Sequence, residues 1–357
     1  MIKSNKIKMK KLSPLLFLLA FICMLPCIAK AQDSKIVKKG TVIHTQLYGH
    51  SLEGNLSNDT ADRSICVYLP PSYKQSSKKR YPVVYFLHGF TDNDTKWYGL
   101  EKHWIDLPAI LDSLNSNGHQ EMIFVTADAK TRFGGSMYSN SATTGNWEDY
   151  ISTELVNYVD SHYRTFAKPS ARGIAGHSMG GYGALRIALK HPEVFSSLYL
   201  LSPASLAPFK TVAGPADLAK METVKTVSDF EKADFALKYA FASAAAWSPN
   251  PNNPPFFIDL PVKSGKPVPE IMAKWSANAP LVYIDQYISA LAKMQAIGFD
   301  AGDKDAAIAL TVKSLDSTLT SYNIQHSSAI YEGTHIDHIG QRIKDVMVPF
   351  FEKNLKY

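Results

Sequence analysis

The chain has 357 residues, enough for one large domain or for a domain that carries an insertion. Its 38 basic and 32 acidic residues give a formal charge of +6, but the first 31 residues hold six lysines and no acidic residue. The rest of the chain is therefore balanced in charge, which argues against a nucleic-acid or anionic-surface partner.

The N-terminus has the layout of a secretory signal peptide. Lysines precede an apolar run at 15–25, and a small-x-small triplet, Ala-Lys-Ala, ends at Ala31. The apolar run is shorter than the roughly 20 residues that span a bilayer, so it predicts no membrane span. We expect cleavage after Ala31 and export to the periplasm or the extracellular space.

The exported part of the chain has too few cysteines for an internal disulfide. Cys23 and Cys27 lie in the expected signal segment, which leaves Cys66 alone. The domain expected at 32–357 must therefore rest on its hydrophobic core.

Short apolar runs alternate with stretches whose apolar residues recur every three or four positions. The runs predict strands at 64–70, 81–89, 122–128, 172–178, 196–203, 296–302 and 327–333. The periodic stretches predict helices at 104–114, 147–163, 179–190, 306–319 and 339–354. Strands so apolar are typical of a mostly parallel sheet with helices on both faces, an α/β fold.

Residues 204–280 interrupt this alternation. They contain helix-like pieces at 216–224 and 228–242 and a proline-rich stretch. One interpretation is a packed surface insertion. The other is a lid or substrate-binding cap, since the position in the chain places the insertion over the ligand-binding end of the sheet.

The segment "IAGHSMGGYGAL" places Ser178 in a G-x-S-x-G pattern between a predicted strand and a predicted helix. Such a serine can cap the helix, or it can be a nucleophile on a sharp turn at the sheet edge. A nucleophilic serine needs a base, a group that orients the base, and donors for the developing oxyanion. Backbone N–H groups of Phe90, in the loop after strand 81–89, and of Met179 are the candidate donors.

The base and the acid of such a turn follow the serine in the order Ser, Asp, His. His335 comes directly after strand 327–333 and is the candidate base. The acid is left open between Asp303 and Asp305, either of which can also cap the helix that begins near residue 306. Asp300 lies inside the preceding strand.

Two further histidines are given structural roles. His88 lies between a strand and a glycine turn, which favours a structural hydrogen bond over catalysis, and His338 is expected to cap or pack the last helix. A metal site at His335, Asp337 and His338 lacks any other ligand cluster, so no metal or cofactor is expected.

These motifs together resemble an esterase family that includes esterase D, S-formylglutathione hydrolase, feruloyl and acetyl-xylan esterases, siderophore esterases and mycolyltransferases. The residues that carry the resemblance are "RYPVVYFLHGFTDNDTKW", "GGSMYSNSATTGNWEDYISTELVNYVD", "GIAGHSMGGYGAL" and "YEGTHIDH". The resemblance runs from about residue 41 to the C-terminus and is weakest over 204–280. It implies an α/β-hydrolase fold.

The resemblance also assigns roles. It makes Ser178 the nucleophile and His335 the base, although Thr334 stands where the family has a second glycine. It selects Asp305 as the acid. Weak expectations of substrate contact fall on Trp97, Tyr138 and Asn140.

Export favours an ester substrate found outside the cytoplasm. The implied function is hydrolysis of feruloyl or acetyl esters of polysaccharides, so the expected partner is a small-molecule or carbohydrate ester. Siderophore, lipid or thioester hydrolysis, acyl transfer to a sugar hydroxyl and a non-catalytic binding protein remain as alternatives. The oligomeric state is left open.

Overall fold

The computed structural model describes residues 38–208 and 219–357, so the expected signal segment lies outside the described residues. An eight-stranded sheet runs through the described chain, with strands β1 Thr41–Tyr48, β2 Asp62–Leu69, β3 Val83–Leu87, β4 Ile123–Ala127, β5 Arg172–His177, β6 Ser197–Leu201, β7 Ala296–Gly302 and β8 Ser327–Tyr331. The strand order is β1-β2-β4-β3-β5-β6-β7-β8. The first two pairings are antiparallel and the other five are parallel. This is the predicted mostly parallel sheet of an α/β-hydrolase fold.

All seven predicted strands are present, with ends that shift by at most two residues. Strands β3 to β6 are buried along their whole length, as their continuous apolar sequences predict. Strand β1 was not predicted. It is an edge strand whose residues alternate between half-buried and exposed, so it lacks the apolar run that marks the others.

The helices that flank the sheet or belong to the insertion are α1 Leu107–Ser116, α2 147–162, α3 Met179–Lys190, α4 Val227–Lys232, α5 Phe235–Trp247, α6 Pro269–Ser276, α7 Ala306–Ser321 and α8 339–354. Alternate residues of one strand face opposite layers of the core. Tyr85 belongs to a hydrophobic cluster that includes residues of α2, α3 and α7, whereas Phe86 belongs to a second cluster that includes residues of α1 and α8. No helix in the described part of the chain is long and apolar enough to cross a membrane.

Capping residues correct two of the helix predictions. The helix predicted at 104–114 begins only at Leu107, because the Asp106 side chain accepts the Ala109 N–H as an N-cap. The piece predicted at 228–242 is two helices, α4 and α5, because Asp234 caps a new helix through the Leu237 N–H. The piece predicted at 216–224 lies partly outside the described residues.

The insertion at 204–280 is fastened to the sheet layer at both ends of its described part. The Tyr182 hydroxyl and the Arg186 guanidinium, both on α3, donate to the backbone and side-chain oxygens of Asn278 at 2.9 and 2.8 Å. The Leu281 N–H donates to the Leu206 carbonyl at 2.9 Å. The described parts of the insertion are therefore packed onto the sheet layer.

Candidate active site

Ser178 lies on a strained turn between β5 and α3. Its φ and ψ are 58° and −117°, a conformation that costs a residue other than glycine about 1–3 kcal/mol. The Ser178 N–H donates to the Leu201 carbonyl of the neighbouring strand at 3.0 Å, which holds the turn at the carboxyl edge of the sheet. Its side chain does not cap α3. The helix-cap interpretation of this serine is therefore wrong.

The glycines on either side of Ser178 are required by close backbone contacts. A Cβ at Gly176 would lie 2.3 Å from the Gly180 carbonyl, and a Cβ at Gly180 would lie 1.9 Å from the Leu87 carbonyl oxygen. Real Cβ atoms do not approach other atoms this closely. The G-x-S-x-G pattern thus reflects the packing of α3 against β3 and β5.

The loop after β8 brings His335 to this turn. Its Nε2 lies 2.8 Å from the Ser178 Oγ, and its Nδ1 lies 2.5 Å from Asp305 Oδ2. Ser178 is nearly buried, whereas about a third of the His335 side chain is exposed. The structure therefore joins the three candidate triad residues in one chain of hydrogen bonds, open to solvent at the histidine.

The three candidate acids have separate places. Asp305 stands at the N-cap position of α7, but its side chain contacts His335 and makes no cap bond. Asp303 Oδ1 accepts the Gly333 N–H at 2.9 Å and so fixes the turn before His335. Asp300 is buried in β7, as predicted. The hydrogen bonds therefore distinguish Asp305 from Asp303, which the sequence spacing could not do.

His177 supports the His335 loop from below, a role that the sequence analysis did not identify. Its Nε2–H donates to the His335 carbonyl at 2.9 Å, and the two imidazole rings lie 4.9 Å apart. Burial, together with the neighbouring His335, lowers the pKa of His177 to about 3. His177 is therefore neutral near pH 7. The only sequence signal was its position beside Ser178.

The amides of Phe90 and Met179 are available to a ligand. Neither N–H has a hydrogen-bond acceptor among the described residues. The two residues are close neighbours, because a Cβ at Gly135 would lie 2.4 Å from Met179 Sδ and 2.9 Å from a ring carbon of Phe90. Met179 is the first residue of α3, where the helix dipole favours negative charge.

His88 is a structural residue, as predicted. Its side chain is fully buried, its Nδ1–H donates to the Gly89 carbonyl at 2.8 Å, and its Nε2 accepts the Ala129 N–H at 2.8 Å. These bonds fix the loop that carries Phe90. No ring nitrogen is left for proton transfer.

The expected substrate contacts of Trp97 and Tyr138 are corrected. Both side chains are fully buried. The Trp97 ring packs on Phe86 with centroids 4.6 Å apart, and the Tyr138 hydroxyl donates to the His88 carbonyl at 3.0 Å. They are packing residues beneath the site. Asn140 is exposed, but its Oδ1 accepts the Glu148 N–H at 2.9 Å at the start of α2.

Trp104 is an exposed aromatic residue that was not among the predicted site residues. Its ring contacts Trp97, His103 and His177 with centroids 5.6, 4.9 and 5.7 Å apart, yet 43% of the residue remains exposed. His177 thus has Trp104 and His335 as ring neighbours. The sequence has no feature that separates Trp104 from the other aromatic residues near glycine-containing turns.

His338 and one cluster of potential metal-ligand side chains lie outside the hydrogen bonds that join Ser178, His335 and Asp305. His338 occupies the N-cap position of α8 without a side-chain cap bond. Among the described residues, potential ligand atoms cluster at His44, Cys66 and Asp94. The Ser64 hydroxyl bridges His44 and Asp94 at 2.7 and 2.6 Å, and burial raises the pKa of the Cys66 thiol. This group is a hydrogen-bonded cluster beneath β1.

Comparison with known proteins places this chain in a family. The family model described as "Putative esterase" matches residues 60–339. An esterase of Mycobacterium tuberculosis (strain ATCC 25618 / H37Rv) is 34% identical over 148 residues, which cover 39% of this chain and 29% of that relative. The chain thus matches less than a third of the relative's length.

Solved structures agree on the fold. A ferulic acid esterase superposes with a TM-score of 0.63 at 19% identity, covering 89% of this chain and 99% of that chain. An S-formylglutathione hydrolase from Agrobacterium tumefaciens gives 0.56 at 16% identity, covering 89% and 97%. A ferulic acid esterase from Anaeromyces mucronatus, solved with ferulic acid, gives 0.53 at 18% identity, covering 91% and 93%. At these identities the likeness establishes the α/β-hydrolase fold.

Proposed function

The chain belongs to this esterase family, and we propose that it is a serine carboxylic-ester hydrolase whose catalytic triad is Ser178, His335 and Asp305. The observation that carries the proposal is the pair of contacts from the His335 ring, one to the Ser178 hydroxyl and one to the Asp305 carboxylate. A serine hydroxyl becomes a useful nucleophile only when such a base takes its proton.

In the proposed reaction Ser178 Oγ attacks the ester carbonyl carbon while His335 Nε2 takes the hydroxyl proton. The Asp305 carboxylate accepts the Nδ1–H of His335, which sets the tautomer and stabilises the imidazolium. Collapse of the tetrahedral intermediate breaks the carbonyl–alkoxy bond, and His335 protonates the departing alcohol. Water then attacks the acyl-enzyme by the same steps and releases the carboxylic acid and free Ser178.

The proposed oxyanion hole consists of the Phe90 and Met179 amides. Their lack of an internal acceptor supports this role, because an N–H reserved for a transient oxyanion has no partner in the free enzyme. One such donor is worth about 3 kcal/mol of transition-state stabilisation. His177 acts through His335 as a positioning residue, since its donor bond holds the backbone of the base.

The proposed substrates are feruloyl or acetyl esters of polysaccharides outside the cytoplasm. The expected signal peptide supports export, and the exposed indole of Trp104, which packs on His177, offers a face on which a sugar ring of the alcohol part can stack. Acyl transfer to a sugar hydroxyl uses the same triad, with an alcohol in place of water.

The experiment is a set of initial rates for the protein lacking residues 1–31 on p-nitrophenyl acetate, methyl ferulate and acetylated xylan, measured for the native sequence and for Ser178→Ala. Ser314→Ala, an exposed serine on α7, is the matched control. Turnover of ferulate or xylan well above the simple ester, lost only in Ser178→Ala, supports a polysaccharide acyl esterase. Equal activity of Ser178→Ala would refute the triad.

A further inference from the structure

An apolar cavity of about 340 Å³ lies between the insertion and the edge of the sheet. Its walls are largely aliphatic and aromatic, and they come from the segment after β6, from α5 and from the start of α7. Representative wall residues are Leu206, Met221, Phe235, Tyr239, Trp247 and Ile308. A pocket with such walls excludes water and favours an apolar ligand.

The cavity wall touches the backbone of the turn that carries Ser178. Its wall begins at Ala204, whose N–H donates to the Ser178 carbonyl at 3.0 Å. On another side the wall residue Tyr239 contacts Phe90, a proposed oxyanion donor, with ring centroids 5.1 Å apart. A third wall includes Ala307, two residues after Asp305. Wall residues of the cavity thus contact the Ser178 backbone and the Phe90 ring.

The chemistry of the tetrahedral intermediate assigns the parts of a substrate to the surfaces around Ser178. The oxyanion must face the Phe90 and Met179 amides. The leaving oxygen must face His335, which protonates it. The exposed Trp104 packs on His177, whose ring nitrogen holds the His335 carbonyl. The acyl group is the remaining substituent, and the apolar cavity whose wall contacts the Ser178 backbone and the Phe90 ring is the space that can receive it.

The cavity also contains a hydroxyl pair. Ser205 Oγ and the Tyr239 hydroxyl lie 2.8 Å apart, and burial raises the pKa of Tyr239, so this hydroxyl stays protonated at neutral pH. In a pocket with mostly apolar walls, a few fixed polar groups set the orientation of a ligand. The pair can bond an oxygen substituent on an aromatic acyl group.

We propose that this cavity is an acyl-binding subsite and that it selects a bulky aromatic acyl group over acetyl. The proposal rests on the proposed function and makes it narrower, because acetylated polysaccharide then becomes a poor substrate. It also gives the insertion a role: α5 supplies the wall that decides acyl preference.

The test compares p-nitrophenyl acetate with p-nitrophenyl cinnamate, which share an alcohol and differ in the acyl group. We expect kcat/KM to be at least about tenfold higher for the cinnamate, and Ala240→Phe, which fills the cavity from α5, to lower this preference about tenfold or more. Lys238→Phe adds the same ring to α5 at a position that does not line the cavity, and it should keep the native preference. A native preference for acetate, or a preference that Ala240→Phe leaves unchanged, would overturn the proposal.

A binding measurement separates this inference from the proposed mechanism. Methyl cinnamate is titrated into Ser178→Ala, with the fluorescence of Trp247 in the cavity wall as the signal. We expect saturable binding that Ala279→Leu, a second cavity-filling change, weakens several-fold. Saturable cinnamate binding in a protein whose native form hydrolyses no ester would refute the mechanism and keep the subsite. Ester hydrolysis through Ser178 without cinnamate binding would refute the subsite and keep the mechanism.

Discussion

The turn that carries Ser178 and the insertion that forms the apolar cavity are built by different means. At the turn, backbone atoms touch backbone atoms, so the residue types at Gly176 and Gly180 are dictated. In the insertion, side chains of helices enclose a space that many apolar combinations can form. Backbone contacts of the first kind hold the reacting groups in one geometry. Side-chain walls of the second kind can change, and with them the substrate specificity, without moving the reacting groups.

The largest effect should follow loss of the nucleophile. Replacing Ser178 by alanine removes the attacking oxygen and should lower kcat by a factor on the order of 10⁴ to 10⁶. Because alanine fits the turn as well as serine does, circular dichroism and the thermal midpoint should change little. Steady-state kinetics against the exposed control Ser314→Ala measures the effect, and a folded, fully active Ser178→Ala protein would refute the mechanism.

Substitution of the two loop aspartates, Asp303 and Asp305, should affect kcat to very different extents. Asp305→Asn removes the carboxylate that orients His335 and should lower kcat by a factor on the order of 10³ to 10⁴. Asp303→Asn keeps an oxygen for the Gly333 N–H and should cost less than about tenfold. Steady-state kinetics of the two variants, measured in parallel, show which aspartate is the triad acid. The reverse ranking would make Asp303 the triad acid.

Glycine substitutions test the difference between the two regions directly. Gly180→Ala forces a Cβ against the Leu87 carbonyl and should lower the free energy of unfolding by about 3 kcal/mol or more. Gly265→Ala lies in the turn of a short hairpin of the insertion, where Val262–Lys263 pairs with Lys266–Pro267. It meets no atom within 4 Å and suffers only from its φ of +70°, a cost of about 1 kcal/mol. Urea unfolding of both variants measures the contrast. Equal losses would contradict the backbone-contact explanation.

His177 should make the site region sensitive to acid. Its pKa is about 3 in the folded protein and 6.5 as a free side chain, so the unfolded chain binds the proton first. Its contribution to stability is complete above pH 6.5 and falls as the pH drops toward 3, by about 2 kcal/mol at pH 5.

His177→Gln keeps a donor for the His335 carbonyl but cannot titrate. Between pH 7.5 and pH 5, the free energy of unfolding measured in urea should therefore fall less in this variant than in the native protein. The difference should be about 2 kcal/mol. The same loss in both proteins would mean that His177 is protonated in the folded state.

Prediction from the sequence was most accurate for elements whose backbone geometry restricts the choice of residue. The apolar strands, the Ser178 turn and helix α3 follow from continuous apolar runs, glycine spacing and 3.6-residue periodicity. The family resemblance selected Asp305, and the structure supplied the contact that spacing lacked. Strand β1 and the break before Asp234 escaped prediction, because an edge strand lacks an apolar run and a cap is one residue within a helical pattern.

The residues that contact the substrate were predicted less well than the triad candidates, and the reason is physical. Trp97 and Tyr138 are aromatic residues near the site motifs, but exposure decides whether an aromatic side chain meets a ligand, and exposure depends on the tertiary packing. Trp104, seven residues after Trp97, is the exposed one. The cavity walls come from segments far apart in the chain, so no local pattern could mark them.

The most direct test of the central claim is to trap the acyl-enzyme. The protein is mixed with p-nitrophenyl cinnamate, quenched in acid within the first turnover, and analysed by intact mass and peptide mapping. We predict one cinnamoyl group per protein, attached to the Ser178 peptide and absent from Ser178→Ala. Rapid ester hydrolysis with the acyl group on another residue would contradict the account.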